Sequence, residues 1–309
     1  MTPRPPAQIG LLLPSRETVL WAGDDLTFLI EAARLAERAG YDSVWAGDSL
    51  LARPRGEPLT VLAAVAAATT RVRLGTAVLL PLLRHPLNLA HSAASVDRLA
   101  QGRLILGVGP GNEMPATHAE LAAVGVASHR RVSDMLESLE RCRRLWRGED
   151  ADAELLPRPS RPDGPPLWLA AHGPRMLGLA GERFDGWLPL SPTPDDYAAG
   201  LHAVRQAAER AGRDPDTVAA GLYVTVAVAD TPRRAAEELD GYMRAYYGVP
   251  AATMAATMAC HAGTLASASE WLAGYVAAGA HHVVVRLARP SLDDYHDTVR
   301  ALLGAARPS

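Results

Sequence analysis

Short runs of apolar residues alternate with stretches of helical periodicity along nearly the whole chain, and this alternation restricts the folds open to it. The run at 8–14 is typical of a buried strand, and residues 24–40 carry apolar side chains at helical spacing and end in Gly40. The pattern predicts eight strands, at 8–14, 41–46, 72–80, 104–108, 167–170, 186–190, 218–228 and 283–287. It predicts helices at 24–40, 57–70, 88–100, 128–146, 174–182, 195–211, 232–246, 267–278 and 292–303.

The predicted strands are apolar throughout rather than alternately apolar and polar. Strands of that kind are buried on both faces, as in parallel sheets covered by helices. We therefore expect a single α/β domain over residues 1–309, a (β/α)8 TIM barrel, with a doubly wound open sheet as the alternative. Segments 150–166 and 248–263 fit neither repeat, and we expect them to be insertions at the C-terminal face of the barrel.

The composition excludes several classes of protein. With 48% hydrophobic residues and 21% charged ones, the 309-residue chain has the balance of a globular protein rather than a disordered one. No apolar run approaches the length of a membrane span, and the formal net charge of -3 argues against a nucleic-acid surface. The two cysteines are too few for a disulfide framework, and no signal-type stretch precedes the first strand, so we expect a cytoplasmic protein.

The polar residues also lack the parts of several kinds of catalytic site. All 31 basic residues are arginine, which excludes Schiff-base chemistry by a lysine and warns against interpreting every arginine as a ligand. The ten histidines show no metal-ligand spacing, and no nucleophile elbow of the G-x-S-x-G type occurs. We therefore expect no metal, and we expect a cofactor to perform the difficult chemistry on a small-molecule substrate.

Three segments that follow predicted strands carry polar or flexible residues where a barrel binds its ligand. Asp48 places a carboxylate there that could accept hydrogen bonds from a ring N–H or a hydroxyl, or could cap the next turn. Residues 106–113, LGVGPGNE, could let the backbone approach a flat ring, or could form a tight turn; they do not match the dinucleotide fingerprint. Residues 171–175, AHGPR, begin a helix whose N–H groups could bind an anion, or are simply a capped helix.

Four blocks of sequence resemble the bacterial luciferase-like superfamily. They are residues 33–48, 70–86, 99–109 and 167–190, and the last of these, with AHGPRMLGLAGE followed by FDGW, is most similar to the branch that uses the deazaflavin coenzyme F420. That branch includes the methylenetetrahydromethanopterin reductases. The resemblance implies the same barrel fold with an insertion, together with roles for individual residues.

The implied roles fall on the strand ends. Asp48 matches an aspartate beside the ring system, and Ala77-Val78 match a β-bulge where such enzymes often carry a non-prolyl cis peptide that bends the deazaflavin. Residues 109–112 would border the ring and ribityl chain, and residues 171–176 the phosphate end. The implied cofactor-binding residues are Asp48, Ala77, Val78, Gly109, Gly111, Asn112, Ala171, His172, Gly173, Pro174 and Met176. The nearest candidate proton donors are Ser49 and Glu113.

The chain also departs from the family. Ser49 stands where many F420 enzymes have a histidine, and Asn112 stands where a sugar-phosphate dehydrogenase subgroup has a glutamate, so oxidation of a sugar phosphate by a histidine base is not expected. Arg53, Arg55 and Arg289 could meet an anionic group, although solvation is the favoured interpretation of each.

The resemblance leaves three functions open. The first is an F420-dependent oxidoreductase that transfers a hydride to or from a small organic substrate. The second is an FMN-dependent monooxygenase that uses O2, and the third is a catalytically silent flavin-binding barrel. A homodimer formed through helices near 57–68 and 88–100 is also implied.

Overall fold

The structure is a computed structural model that describes residues 7–289, 291–293 and 295–306. Its strands are β1 (Gln8–Leu12), β2 (Ser43–Ala46), β3 (Arg73–Leu79), β4 (Leu104–Val108), β5 (Leu167–Leu169), β6 (Gly186–Trp187), β7 (Ala219–Val228), β8 (Ala259–Gly263) and β9 (His282–Leu287). Its helices are α1 (Glu17–Trp21), α2 (Thr27–Ala39), α3 (Pro58–Ala68), α4 (Pro86–Leu99), α5 (Pro115–Ala123), α6 (Arg131–Arg147), α7 (Gly173–Arg183), α8 (Pro194–Arg210), α9 (Pro232–Tyr247), α10 (Ala251–Ala255), α11 (Leu265–Ala277) and α12 (Tyr295–Ala306). Of the predicted helix 292–303, Asp294 lies outside the described residues. None of the described helices combines the length and apolar character needed to cross a bilayer.

The strands form one parallel sheet that closes into a barrel. Its ring order is β1, β2, β3, β4, β5, β6, β7 and β9, and β9 pairs back to β1. The predicted (β/α)8 TIM barrel is therefore confirmed. Strand β8 lies outside this ring and pairs with the second half of β7, from Val224 to Val228. The sequence did not predict β8, because its residues, ACHAG, are small or polar rather than a continuous apolar run.

Large rings packed against glycines fill the inside of the barrel. The rings of Trp45 and Trp168 lie 5.5 Å apart, and the His282 ring meets both edge-on. Gly75 pairs with Trp45 across β2 and β3, and a methyl group on Gly75 would overlap the indole ring. The barrel is thus a packed core below its mouth rather than a pore.

The two predicted insertions lie at opposite ends of the barrel. The segment at 248–263 belongs to a larger insertion of α9, α10 and β8, and the end of α9 packs over the mouth through Tyr246 and Tyr247. Segment 150–166 instead joins the end of α6 to the start of β5, where the Ser160 N–H donates to the Asp97 carboxylate at 2.7 Å. The expectation that 150–166 lies at the mouth is wrong, because a helix-to-strand connection returns to the amino-terminal end of the strands.

Candidate active site

A cavity of about 530 Å3 opens at the carboxyl ends of the strands. Ten of the thirteen predicted site residues line it, namely Asp48, Ser49, Ala77, Val78, Gly109, Gly111, Asn112, Glu113, His172 and Met176. They come together because the carboxyl ends of all the ring strands meet at one face of a barrel. A larger groove of about 920 Å3 lies beside α6 on the outer surface and contains none of the thirteen.

The floor of this cavity is apolar and lies at a bulge in β3. The register between β3 and β4 shifts between Thr76 and Leu79, and the Ala77-Val78 peptide bond is cis, as the resemblance predicted. A methyl group on Gly109 would lie 3.0 Å from Val78 Cγ2 and 3.6 Å from the Ala170 Cβ. A side chain at position 109 would therefore fill the space beside the floor, so the glycine keeps this surface open to a flat ligand.

Asp48 lies at the edge of the floor, and its carboxylate is already hydrogen-bonded to other residues of the protein. Its carboxylate pairs with both terminal nitrogens of Arg84, at 2.6 and 3.1 Å, and accepts a hydrogen bond from the Leu80 N–H at 2.9 Å. Arg84 also pairs with Glu57 at 2.6 Å. The aspartate thus fixes the chain that leaves β3, and most of its acceptor positions are already used.

Ser49 is held by a buried carboxylate that sequence analysis missed. The Ser49 hydroxyl donates to Glu120 Oε1 at 2.8 Å and accepts from the Arg53 N–H at 2.8 Å. The same Glu120 oxygen accepts from the N–H groups of Leu50, Leu51 and Ala52. The Ser49 proton is therefore committed to Glu120. Glu120 follows no predicted strand, and nothing in its local sequence separates it from a solvated helix residue.

Glu113 lies at the rim of the cavity in an exposed ion-pair network. Its carboxylate contacts a terminal nitrogen of Arg131 and lies 2.9 Å from His118 Nε2. Hydrogen bonds from Arg131 and then His118 lower the pKa of Glu113. Glu113 is therefore ionised at neutral pH and has no proton to donate, although its carboxylate can accept hydrogen bonds.

The predicted phosphate end lies at the start of α7. His172 and Met176 line the cavity, whereas Gly173 and Pro174 begin the helix without lining it. Ala171 is buried in the core, where its carbonyl oxygen accepts a hydrogen bond from the Trp187 indole N–H at 3.0 Å. The first N–H groups of α7 have no partners within the helix, as at every helix start.

Sequence analysis missed most of an arginine–tyrosine cluster on another side of the mouth. We define it by the cavity-lining residues Arg53, Arg55, Tyr223, Tyr246, Tyr247 and Arg286. Arg286 is only 5% exposed; it donates to the Tyr247 hydroxyl at 2.6 Å and lies 4.4 Å from the Tyr246 ring centre. The signal in the sequence was one charged residue inside the apolar strand 283–287.

The three arginines considered as anion ligands have different environments. Arg53 and Arg55 are partly buried in the cavity wall rather than solvated, and both lie near tyrosine rings. Arg289 is 7% exposed, pairs with Glu238 at 3.2 Å and donates to the Val228 carbonyl. The solvation interpretation is therefore wrong for Arg289, which does not line this cavity. Across the described part of the chain, no group of three or more His, Cys, Asp or Glu residues is placed to hold a metal ion.

Comparison with known proteins identifies the family. The sequence profile of the luciferase-like monooxygenases matches residues 7–284. The chain is similar to the 5,10-methylenetetrahydromethanopterin reductase of Methanolobus tindarius, at 31% identity over 66% of this chain and 63% of the relative. It is also similar to the F420-dependent hydroxymycolic acid dehydrogenase of Mycobacterium tuberculosis, at 33% identity over 68% of this chain and 62% of the relative. The chain thus spans less than two thirds of the length of these curated relatives.

Solved structures show the same fold. An F420-dependent secondary alcohol dehydrogenase in complex with an F420-acetone adduct superposes with a TM-score of 0.78 at 21% identity, covering 98% of this chain and 100% of that one. The monooxygenase RslO1 from Streptomyces bottropensis gives a TM-score of 0.78 at 22% identity over 96% of this chain and 97% of that one. Since the family profile covers most of the sequence and the barrel agrees, this chain belongs to the luciferase-like monooxygenase family.

Proposed function

We propose that this protein is an F420-dependent oxidoreductase that transfers a hydride between the deazaflavin coenzyme and a small organic substrate. The observation that carries the proposal is the open apolar floor of Ala77, Val78 and Gly109 at the bottom of the mouth. Similarity to a methylenetetrahydromethanopterin reductase, at 31% identity, and to an F420-dependent dehydrogenase, at 33% identity, supports it.

The residues present fit a large planar cofactor. A cavity of about 530 Å3 falls within the range of small-molecule and cofactor sites, which are mostly apolar with a few polar groups. Ala77 and Val78 would lie behind the ring, and Gly109, Gly111 and Asn112 would border it. His172, Met176 and the start of α7 would hold the phosphate end.

When bound, F420 supplies the carbon that gives or accepts the hydride. The protein's own residues position the reactants and exclude water. Asp48 and Arg84 fix the chain after β3, and Ser49 with Glu120 fixes the chain after β2. Because the Ser49 proton is committed and Glu113 is ionised, we propose that these two predicted proton donors hold the mouth in shape and supply acceptor groups.

A matched pair of variants tests the floor. Gly109→Ala places a methyl group against Val78, so we expect F420 affinity to fall at least fivefold in a fluorescence titration. Gly241→Ala makes the same change on α9, where the added methyl group would meet nothing within 4 Å beyond the backbone of its own helix, and should leave the affinity unchanged. Equal F420 affinities in both variants and the wild type would show that the coenzyme does not use this floor.

An FMN-dependent monooxygenase is the second candidate, favoured by the match to the monooxygenase profile and by the TM-score of 0.78 to RslO1. Titration of the purified protein with F420 and with FMN separates the two. We expect tighter binding of F420 and turnover that needs no oxygen. Tighter binding of FMN with oxygen-dependent turnover would overturn the proposal, and binding without any turnover would indicate a silent barrel.

We further propose that the protein acts as a homodimer through α3 and α4. The family resemblance implies this interface, and Leu99, at the end of α4, is 57% exposed and would be covered by a partner there. Sedimentation velocity should give a single species of twice the chain mass. A monomer at micromolar concentration would exclude this interface.

A further inference from the structure

We propose that the arginine–tyrosine cluster binds an anionic group of the substrate, a carboxylate or a phosphate, so that the enzyme acts on organic anions. That the bound anion is a substrate rests on the proposed function. The charges of the cluster, its unpaired polar atoms and its position around the barrel support the anion site.

The cluster holds three positive charges without a paired carboxylate among the described residues. Arg53 contacts the Met114 sulfur, Arg55 donates to the Arg53 carbonyl, and Arg286 donates to the Tyr247 hydroxyl. The acids that line the same cavity are used elsewhere: Asp48 by Arg84, Glu113 by Arg131, and Glu120 by the chain after β2. A guanidinium as buried as that of Arg286 is normally compensated by a nearby anion, so a ligand is the expected source of that charge.

Glu17 begins α1, just after β1, and its carboxylate also has a partner within the protein. It is buried, and its carboxylate accepts a hydrogen bond from the Tyr242 hydroxyl on α9. No ion pair joins it to Arg286, whose strongest electrostatic partners are tyrosines, although its charge also acts on Arg55. One buried carboxylate therefore cannot balance the three arginines of the cluster.

Two polar atoms of the cluster have no hydrogen-bond partner among the described residues. They are Nε of Arg286 and the hydroxyl oxygen of Tyr223, and both are buried. Burial raises the pKa of Tyr223 well above its ordinary value, so the hydroxyl keeps its proton and can donate it in a hydrogen bond. Buried polar groups are almost always paired in native proteins, and both of these groups are donors, so an oxyanion would satisfy them.

The cluster lies on the side of the mouth away from the predicted phosphate end of the cofactor. Tyr223 comes from β7 and Arg286 from β9, whereas His172 follows β5, and β6 separates β5 from β7 in the ring. Arg55 also reaches the floor, because its guanidinium packs against Gly47, where an added methyl group would lie 3.7 Å from the Ala77 carbonyl oxygen. An anion bound here would therefore place the rest of a small substrate above Ala77.

The aromatic rings restrict what else the cluster can hold. Arg286 lies 5.0 Å from the Tyr223 ring centre and 4.4 Å from that of Tyr246, and Arg53 lies 5.0 Å from that of Tyr247. The rings flank the guanidinium groups, whose N–H donors match the two oxygens of a carboxylate or a phosphate. A neutral alcohol would leave the positive charges unbalanced.

Calorimetric titration of the F420-saturated protein with benzoate and with inorganic phosphate tests the proposal. The variants are Arg286→Gln and Tyr223→Phe, with Arg244→Gln as the control, since Arg244 is on α9 but pairs with Asp240 on the outer surface at 2.7 Å. We expect at least one anion to bind, with affinity at least tenfold lower in Arg286→Gln, several-fold lower in Tyr223→Phe and unchanged in Arg244→Gln. The tighter of the two anions identifies the group.

Tyr223→Phe keeps the test valid if Arg286→Gln does not fold. It removes an unpaired hydroxyl, so it should leave the melting temperature unchanged or higher while it weakens anion binding. A purely structural role for Tyr223 would lower the melting temperature and leave anion affinity intact, which would overturn the proposal.

The remaining outcomes separate this inference from the proposed function. Failure of both anions to bind, equal affinities in all variants, or displacement of F420 by the anion would overturn the substrate-anion site. Anion binding that is lost in Arg286→Gln in a protein that fails to bind F420 would support the anion site and reject the F420 assignment.

Discussion

Gly75 shows how one residue without a side chain permits the packing of the barrel interior. It lies opposite Trp45 in the β2–β3 register, and the indole occupies the position that a methyl group would take. We expect Gly75→Ala to destabilise the protein by roughly 1–3 kcal/mol, because an overpacked core forces strained side chains or a backbone shift. The urea midpoint measures this loss.

The exposed Gly241→Ala change is the control for that prediction. It adds the same methyl group to an open face of α9 and should raise stability slightly, by about 0.4–1 kcal/mol. Equal urea midpoints for Gly75→Ala and the wild type would contradict the packing argument.

His282 gives the barrel a dependence on pH. It is 3% exposed, its Nε2 lies 2.7 Å from the Ser43 hydroxyl oxygen, and burial followed by the nearby Arg73 lowers its pKa from 6.5 to about 3. Below pH 6.5 the unfolded chain binds a proton that the native chain does not, so stability falls as the pH decreases toward 3, by about 1.4 kcal/mol per pH unit.

Urea unfolding at pH 7 and pH 5 tests this for the wild type and His282→Gln. Other groups titrate in both proteins, so the difference between them reports on His282. We expect the wild type to lose roughly 2 kcal/mol more than the variant between the two pH values. Parallel losses would mean that His282 is protonated in the native state.

At the scale of the elements, the chain between β2 and α3 is held in place by hydrogen bonds to a residue from α5. Glu120 accepts hydrogen bonds from Ser49 and from three successive N–H groups of that chain, which carries Arg53 and Arg55. We expect Glu120→Ala to raise the rate of trypsin cleavage at the Arg55–Gly56 bond by about tenfold, because the backbone donors lose a charged acceptor. Mass spectrometry of the early fragments measures the rate.

Glu137→Ala on α6 is the matched control, since its side chain is 72% exposed and its nearest cation is 3.7 Å away. It should cleave at the wild-type rate. Unchanged cleavage in Glu120→Ala would show that the chain is held by its other contacts instead.

The elements also show what the sequence could and could not predict. Continuous apolar runs predicted the eight ring strands, because a strand that is buried on both faces has apolar residues at consecutive positions. A barrel then brings strand ends together, which is why Asp48, Val78 and Gly109 were found at one cavity. The position of α9 over the mouth was not predictable, because helical periodicity identifies an apolar face and not the surface that covers it.

The site residues that the sequence did not predict were missed for a related reason. Arg286 is one of many arginines in a chain without lysine, so its type carried little information, and only its burial in β9 distinguishes it. Tyr246 and Tyr247 are 39 residues or more before it and meet it only through the packing of α9. Contacts over such separations follow from tertiary structure, whereas the glycine and aspartate signals are local.

At the scale of the whole molecule, the ring of strands is unequally paired. Strands β7 and β9 share six paired residues, whereas β6 shares only two with β5 and two with β7. The β5–β6 side is supported by other contacts, including the Leu167 N–H to the Asp185 carboxylate at 2.8 Å. Fewer ladder hydrogen bonds lower the free energy of local opening, so this side should open before the rest of the barrel.

Hydrogen exchange followed by mass spectrometry tests this order of opening. We expect peptides that cover residues 184–190 to exchange at least tenfold faster than peptides that cover residues 282–288, because local opening at β6 requires fewer broken bonds than opening at β9. Equal protection would mean that the barrel opens only as a whole. The α7 start and His172 follow β5 directly, so F420 bound as proposed should slow exchange at 184–190 more than at 282–288, since a ligand stabilises most the opening equilibria that disrupt its own site.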